Sequence, residues 1–195
     1  MKTRTAEIER KTLETDISVN INLDGSGEHN ISTGIGFLDH LFSALSKHSR
    51  CDINISCKGD IHIDDHHTAE DCALSLGMAF DKALGNRSGI ARFGHAYAPL
   101  DEALSRSVVD LSGRPFSYVN LLLDRDMIGG IAAENISHVF SSFALAARIS
   151  LHVDVLRGEN DHHKAEAAFK SLALALRNAI SSNNYNDIPS TKGVL

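Results

Sequence analysis

Asp65-His66-His67-Thr68-Ala69-Glu70 and Asp161-His162-His163-Lys164-Ala165-Glu166 follow one pattern in the two halves of a 195-residue chain. A lone histidine precedes each: His40 in Leu38-Asp39-His40-Leu41-Phe42, and His138 in Ile136-Ser137-His138-Val139-Phe140. It comes 26 residues before the pair in the first case and 24 in the second. A repeat of this length exceeds the roughly 20–50-residue period of solenoids. It predicts two related halves, residues 1–88 and 89–195, packed face to face about a pseudo-twofold axis.

The flanking patterns agree with a duplication. In the first half, Thr5 to Arg10, Ile17 to Leu23 and His29 to Thr33 read as strands, with a turn at Asp24-Gly25. Phe37, Leu38, Leu41, Phe42 and Leu45 fall at helical spacing, Asp52 to Cys57 alternates as a strand, and helical periodicity runs from His66 to Leu84. In the second half, Ala91 to Ala98, Ala103 to Leu111 and Pro115 to Leu122 read as strands. Asn135 to Ala147 reads as a helix, Ile149 to Leu156 as a strand and Asp161 to Ser181 as a long helix. Each half is therefore βββαβα, and the class is α+β.

Composition narrows the function. A net charge of −6 leaves no basic face for a nucleic-acid backbone. No apolar run reaches the roughly 18 residues of a membrane span, and the charged N-terminus lacks the apolar segment of a secretory signal. Cys51, Cys57 and Cys72 are odd in number and lack Cys-x-x-Cys spacing, as expected of reduced thiols in the cytoplasm. Histidine is abundant, at 11 residues, and concentrated in the repeat. His29, His62, His95 and His152 fall outside it; His62 and His152 sit at alternating positions and read as structural strand residues.

The repeat has the chemistry of a metal site. Glu70 lies three residues from His67 and four from His66, spacings that share a helical face. Consecutive side chains on a helix diverge by about 100°, so one His-His pair can address two neighbouring ions. With the lone histidines, the set is His40, His66, His67, Glu70, His138, His162, His163 and Glu166, enough for two ions with three imidazoles and one carboxylate each. Such donors suit manganese, iron, cobalt or zinc rather than calcium or magnesium. A single helical histidine is more often a packing residue, but a duplicated constellation is hard to ascribe to packing. Asp65 and Asp161 are placed to cap the helices or to orient an imidazole. His48, closing the first helix, is a candidate substrate contact.

Six segments resemble imidazoleglycerol-phosphate dehydratases: Thr33–His40, Pro99–Leu104, Asp110–Pro115, Pro189–Leu195 and the segments around the two His-His-x-x-Glu motifs. The resemblance covers nearly the whole chain. It implies a four-helix layer between two four-stranded sheets, two manganese ions per active site and a homo-oligomer of 24 subunits whose metal sites are completed at subunit contacts. It implies a chain devoted to one activity, without the phosphatase domain of some bacterial relatives. The implied reaction dehydrates imidazoleglycerol phosphate to imidazoleacetol phosphate in histidine biosynthesis, with the substrate's imidazolate held by the two ions. Glu14 matches the family's N-terminal acidic position and is the candidate for proton transfer, followed by Asp101 and Glu102. Arg92, Arg114, Lys170, Ser190 and Lys192 match its phosphate contacts, the last two on a tail that would order over substrate.

Two other functions fit the metal pattern alone. A binuclear metallohydrolase acting on a small phosphorylated substrate would use the ions to activate water, but such sites usually hold more than two carboxylates among eight ligands. A metal-storage assembly would need neither Glu14 nor the cations.

Overall fold

The computed structural model describes residues 4–183 and 187–193. Met1, Lys2 and Thr3 of the N-terminus, and Val194 and Leu195 of the terminal motif, lie outside the described residues. The first half forms β1 (Thr5–Lys11), β2 (Thr15–Asn22), β3 (His29–Ser32), α1 (Gly36–Ser49), β4 (Asp52–Gly59) and α2 (His66–Leu84). The second forms β5 (Phe93–Leu100), β6 (Ala103–Asp110), β7 (Phe116–Asn120), the short β8 (Met127–Ile128) and β9 (Ile131–Ala132), α3 (Ala133–Ala146), β10 (Ser150–Arg157) and α4 (Asp161–Ala179).

The two main sheets have the same topology. The orders are β1-β2-β4-β3 and β5-β6-β10-β7, and in each the last strand pairs parallel with its neighbour. Strict alternation fixes the register: Ile17, Val19 and Ile21 sit opposite Cys57, Ile55 and Ile53, and all six are buried. Helices α1 and α2 cover the first sheet, and α3 and α4 the second. Across the interface α2 packs on α3 and α1 on α4, so the four helices form a layer between the sheets. Phe169 of α4 meets Phe42 of α1 at 6.2 Å and Phe140 of α3 at 4.5 Å between ring centroids. Gly77 lets α2 approach α3 closely, since a Cβ there would lie 2.7 Å from the Phe143 carbonyl oxygen.

The halves differ in two respects. The connection from β3 to α1 is short, whereas residues 121–132 between β7 and α3 make a longer strap carrying β8 and β9. Helix α3 starts at Ala133 rather than Asn135 because Ala132 pairs with Met127 and Ala133 N–H donates to the Asp126 carbonyl. The sheets also differ outside: Glu7, Glu9, Asp16, Asn20, Asn54 and Ser56 face solvent on the first, Phe93, Tyr97, Val108, Phe116 and Tyr118 on the second. His152 lies on that second face against Phe116 and Tyr118. His62 is not a strand residue. Its segment is a turn closed by Ile63 N–H donating to the Asp60 carbonyl, with Ile61 and Ile63 exposed.

Candidate metal centre

The helix layer brings six of the eight expected ligands into two clusters, each mixing the halves. His40 of α1 joins His162 and Glu166 of α4, and His138 of α3 joins His66 and Glu70 of α2. Within each cluster the donor atoms lie within 4.8 Å of one another. His40 Nε2 is 2.9 Å and His162 Nε2 3.3 Å from Glu166 Oε2; His138 Nε2 is 3.0 Å from Glu70 Oε1. Two imidazoles converging on a carboxylate fit a divalent transition ion, whose charge would hold them together.

The supporting contacts aim the rings. Asn135 Oδ1 accepts from His66 Nδ1 at 2.9 Å, which leaves Nε2 as the nitrogen free to face an ion. Asp65 Oδ2 accepts from Asn135 Nδ2 at 3.0 Å, so this aspartate orients the imidazole through an amide. Asp65 makes no side-chain cap; its carboxylate is spent on Asn135 and the Ala132 N–H. Asp161 also caps nothing: Asn160 caps α4 by accepting from His162 N–H, while Asp161 Oδ2 accepts from the amides of Asp124 and Arg125. Burial would raise the Glu166 carboxyl, but the Lys170 ammonium and His40 hold it down at about 2.

His67 and His163 stand apart from these clusters, in matching surroundings. The ring planes within each His-His pair are nearly perpendicular, at 80° and 86°. His67 Nδ1 bonds Asp60 Oδ2 at 3.0 Å, and its Nε2 faces Glu14 Oε1 at 3.7 Å. His163 Nδ1 bonds Glu102 Oε2 at 2.8 Å, and its Nε2 faces Asp101 Oδ2 at 4.0 Å. The bonds from Asp60 and Glu102 raise the pKa of His67 and His163 above the usual imidazole value. Glu102 in turn is held at about 2, first by the Asn160 N–H and then by His163. Glu14 sits in the β1–β2 turn and Asp101 in the β5–β6 turn, so the duplication sets one carboxylate beside each outlying histidine.

A sequence profile of the imidazoleglycerol-phosphate dehydratase family matches residues 33–176. The Candida albicans imidazoleglycerol-phosphate dehydratase is 53% identical over 98% of this chain and 98% of its own length. The chain belongs to the imidazoleglycerol-phosphate dehydratase family. It is therefore a carbon–oxygen lyase by descent. The enzyme of that name from Phytophthora nicotianae is 61% identical over 98% of this chain, which spans 42% of that longer protein. The Pyrococcus furiosus crystal structure superposes with a TM-score of 0.83 at 36% identity, covering 96% of this chain and all of that one. The Staphylococcus aureus dehydratase gives a TM-score of 0.83 at 32% identity, covering 92% and 99% of the two chains.

The phosphate contacts implied by membership of the dehydratase family lie in three places on one chain. Lys170 is ion-paired with Glu166 at 2.7 Å, and His48 is close enough that, after burial, the Lys170 charge lowers its pKa. Arg114 is exposed and precedes Pro115 and Phe116, which with Glu70, His138, Ser141 and Leu145 line a cleft of about 260 Å³. Arg92 is at the other end of α4 from the histidines, its N–H on the Ala179 carbonyl; a helix of 19 residues spans about 28 Å. Its guanidinium pairs with Asp110 at 2.7 Å and donates to the Pro189 carbonyl, which docks the tail. There Ser190 Oγ accepts from Lys192 N–H at 3.2 Å.

Reading the sequence left Asp60 and Asn135 unassigned. A His-His-x-x-Glu match says nothing about the other nitrogen of each ring, and these residues act only through it.

Proposed function

We propose that the chain dehydrates imidazoleglycerol phosphate to imidazoleacetol phosphate as a cytoplasmic step of histidine biosynthesis, with two manganese ions. The observation that carries this reading is the pair of His-His-Glu clusters accompanied by two acid-flanked histidines, on a chain of this family. The ions, when bound, hold the substrate's ring as a template and draw electron density from it. Dehydration takes a hydroxyl from the carbon beside the ring and a proton from the next carbon, and the enol left behind relaxes to the ketone. No carbonyl acidifies that proton, so a positioned base is required. Glu14, about half exposed and beside His67, is placed to move it; Asp101 is the corresponding group beside His163. Lys170, His48, Arg114 and the Arg92-docked tail with Ser190 and Lys192 supply cations and donors for the phosphate, the arginines through a bidentate fork.

The outlying His67 and His163 would complete clusters of neighbouring copies, in a homo-oligomer of 24 subunits. Two features support this assembly. Each cluster holds three donors of the expected four, and the second sheet exposes aromatic side chains where the first is polar. A monomeric mass for metal-loaded, active protein in light scattering would rule the assembly out.

Metal-loaded protein should form ketone from imidazoleglycerol phosphate. Release of inorganic phosphate instead would point to a metallohydrolase, and turnover of neither kind to storage. Arg114→Ala should raise KM first, with a smaller loss in kcat because phosphate binding also orients the ring. A KM unchanged in steady-state assays would remove Arg114 from phosphate binding.

Acid should strip the metal. Imidazoles bind ions only when neutral, and an unperturbed histidine titrates near about 6.5. Activity in limiting metal should therefore fall as the pH drops below about 6. His67 and His163, whose pKa values are raised by Asp60 and Glu102, should take up protons above the ordinary imidazole value. Full activity at pH values near about 5 without excess metal would contradict the ligand assignment.

A further inference from the structure

The two motif aspartates converge on one segment. Asp161 Oδ2 accepts from the amides of Asp124 (2.9 Å) and Arg125 (2.7 Å), at the start of the strap between β7 and α3. Asp65 Oδ2 accepts from Ala132 N–H (2.8 Å) and from the Asn135 amide (3.0 Å), at its end. The shorter connection between β3 and α1 has no such length to be held. The strap thus runs from the N-terminus of α4 to the N-terminus of α2, where the two His-His pairs begin.

Lys164 secures the first of these ends. It is 3% exposed; Nζ donates to the Leu122 carbonyl at 2.6 Å and Asp124 Oδ2 at 2.8 Å, and it is ion-paired with Asp161 Oδ1 at 2.9 Å. A buried ammonium is costly unless its donors are satisfied, so these three oxygens fix the side chain and hold the strap to α4. In the first motif the same position is Thr68, buried, with no hydrogen-bond partner for its Oγ1. Between its ends the strap is tied into the core by Ile128 and Ile131. At its tip, Gly129 packs on Phe37, whose ring lies 4.8 Å from His162 and 6.0 Å from His40. At its far end, Asn135 holds His66.

We propose that residues 121–135 form one positioning element shared by both metal clusters, and that Lys164 is a positioning residue for the His66–Glu70–His138 cluster as well as for its own helix. The inference rests on the metal-binding reading above. Loosening the strap at Lys164 frees Ala132 and Asn135 to shift, and His66 loses the amide that presents its Nε2.

The test isolates the distant cluster. In a His40→Ala background the His66–Glu70–His138 set keeps all its donors, and Co(II) binding can be followed by visible absorption. Failure of this background to bind Co(II) would count against the metal reading itself. If it binds, adding Lys164→Met should weaken affinity by about 10-fold or more, the scale for losing an outer-sphere partner. Lys164→Arg, which keeps the charge, should recover most of the loss. Unchanged Co(II) affinity on adding Lys164→Met would overturn the proposal, as would a Lys164→Met effect seen only in the reciprocal His138→Ala background. Should Lys164→Met fail to fold, Gly129→Ala perturbs the strap at its tip: its φ is +55° and the new Cβ would meet Phe37 Cβ at 2.7 Å. It should lower Co(II) affinity in both backgrounds, and no effect in the His40→Ala background would sink the idea.

Discussion

Glu14→Gln should lower kcat by about 100-fold or more, the usual scale for a general acid–base group. The substitution keeps size and hydrogen bonding but removes the base. Glu14 is in the β1–β2 turn, 3.7 Å from His67 Nε2, and belongs to neither three-donor cluster. Metal content should therefore be that of the parent protein. Steady-state kinetics with elemental analysis on the same sample separates the cases. Near-parental kcat would pass the role to Asp101 or to a metal-bound water, whereas a loss of metal would make Glu14 a ligand.

His138→Ala should have the other large effect. His138 is the donor that α3 contributes to the cluster with His66 and Glu70, 3.0 Å from Glu70. Removing it leaves one imidazole and one carboxylate of this chain in the cluster. Affinity there should fall by more than about 100-fold, beyond the cost of losing an outer-sphere partner. Bound metal should drop by one ion per chain while the His40–His162–Glu166 cluster stays filled. Equilibrium dialysis against manganese distinguishes this from a loss of both ions, which would mean that the clusters do not bind independently.

The fold was largely legible because duplication supplies its own control. Alternation in Ile17, Val19, Ile21, Ile53 and Ile55 and the helical spacing in Phe37, Leu38, Leu41 and Phe42 recur at matching places in the second half, and the sheets have the same strand order. Ile61-His62-Ile63 misleads because alternation is local. A backbone bond from Ile63 to Asp60 closes a turn there and leaves both isoleucines exposed. The strap hairpin was missed because paired strands of two residues carry no readable period.

The candidate ligands were legible as a set, because spacing on a helix dictates which side chains share a face. Their grouping was not. Which histidine meets which glutamate depends on the pairing of α1 with α4 and α2 with α3, and each cluster draws its lone histidine from the opposite half. Lys164 and Asn135 look like ordinary polar helix residues in the sequence. Their roles come from partners 42 positions away at the Leu122 carbonyl and 69 positions away at His66. Arg92 and Lys170 were grouped by resemblance, yet Arg92 and the tail lie at the opposite end of α4 from its His-His pair.

The most direct measurement is the metal content of purified, fully active protein, taken with turnover of imidazoleglycerol phosphate in the same preparation. Two ions per chain are expected, with ketone formation lost on chelation and restored by manganese. Full activity with one ion per chain or none would contradict the two-cluster account.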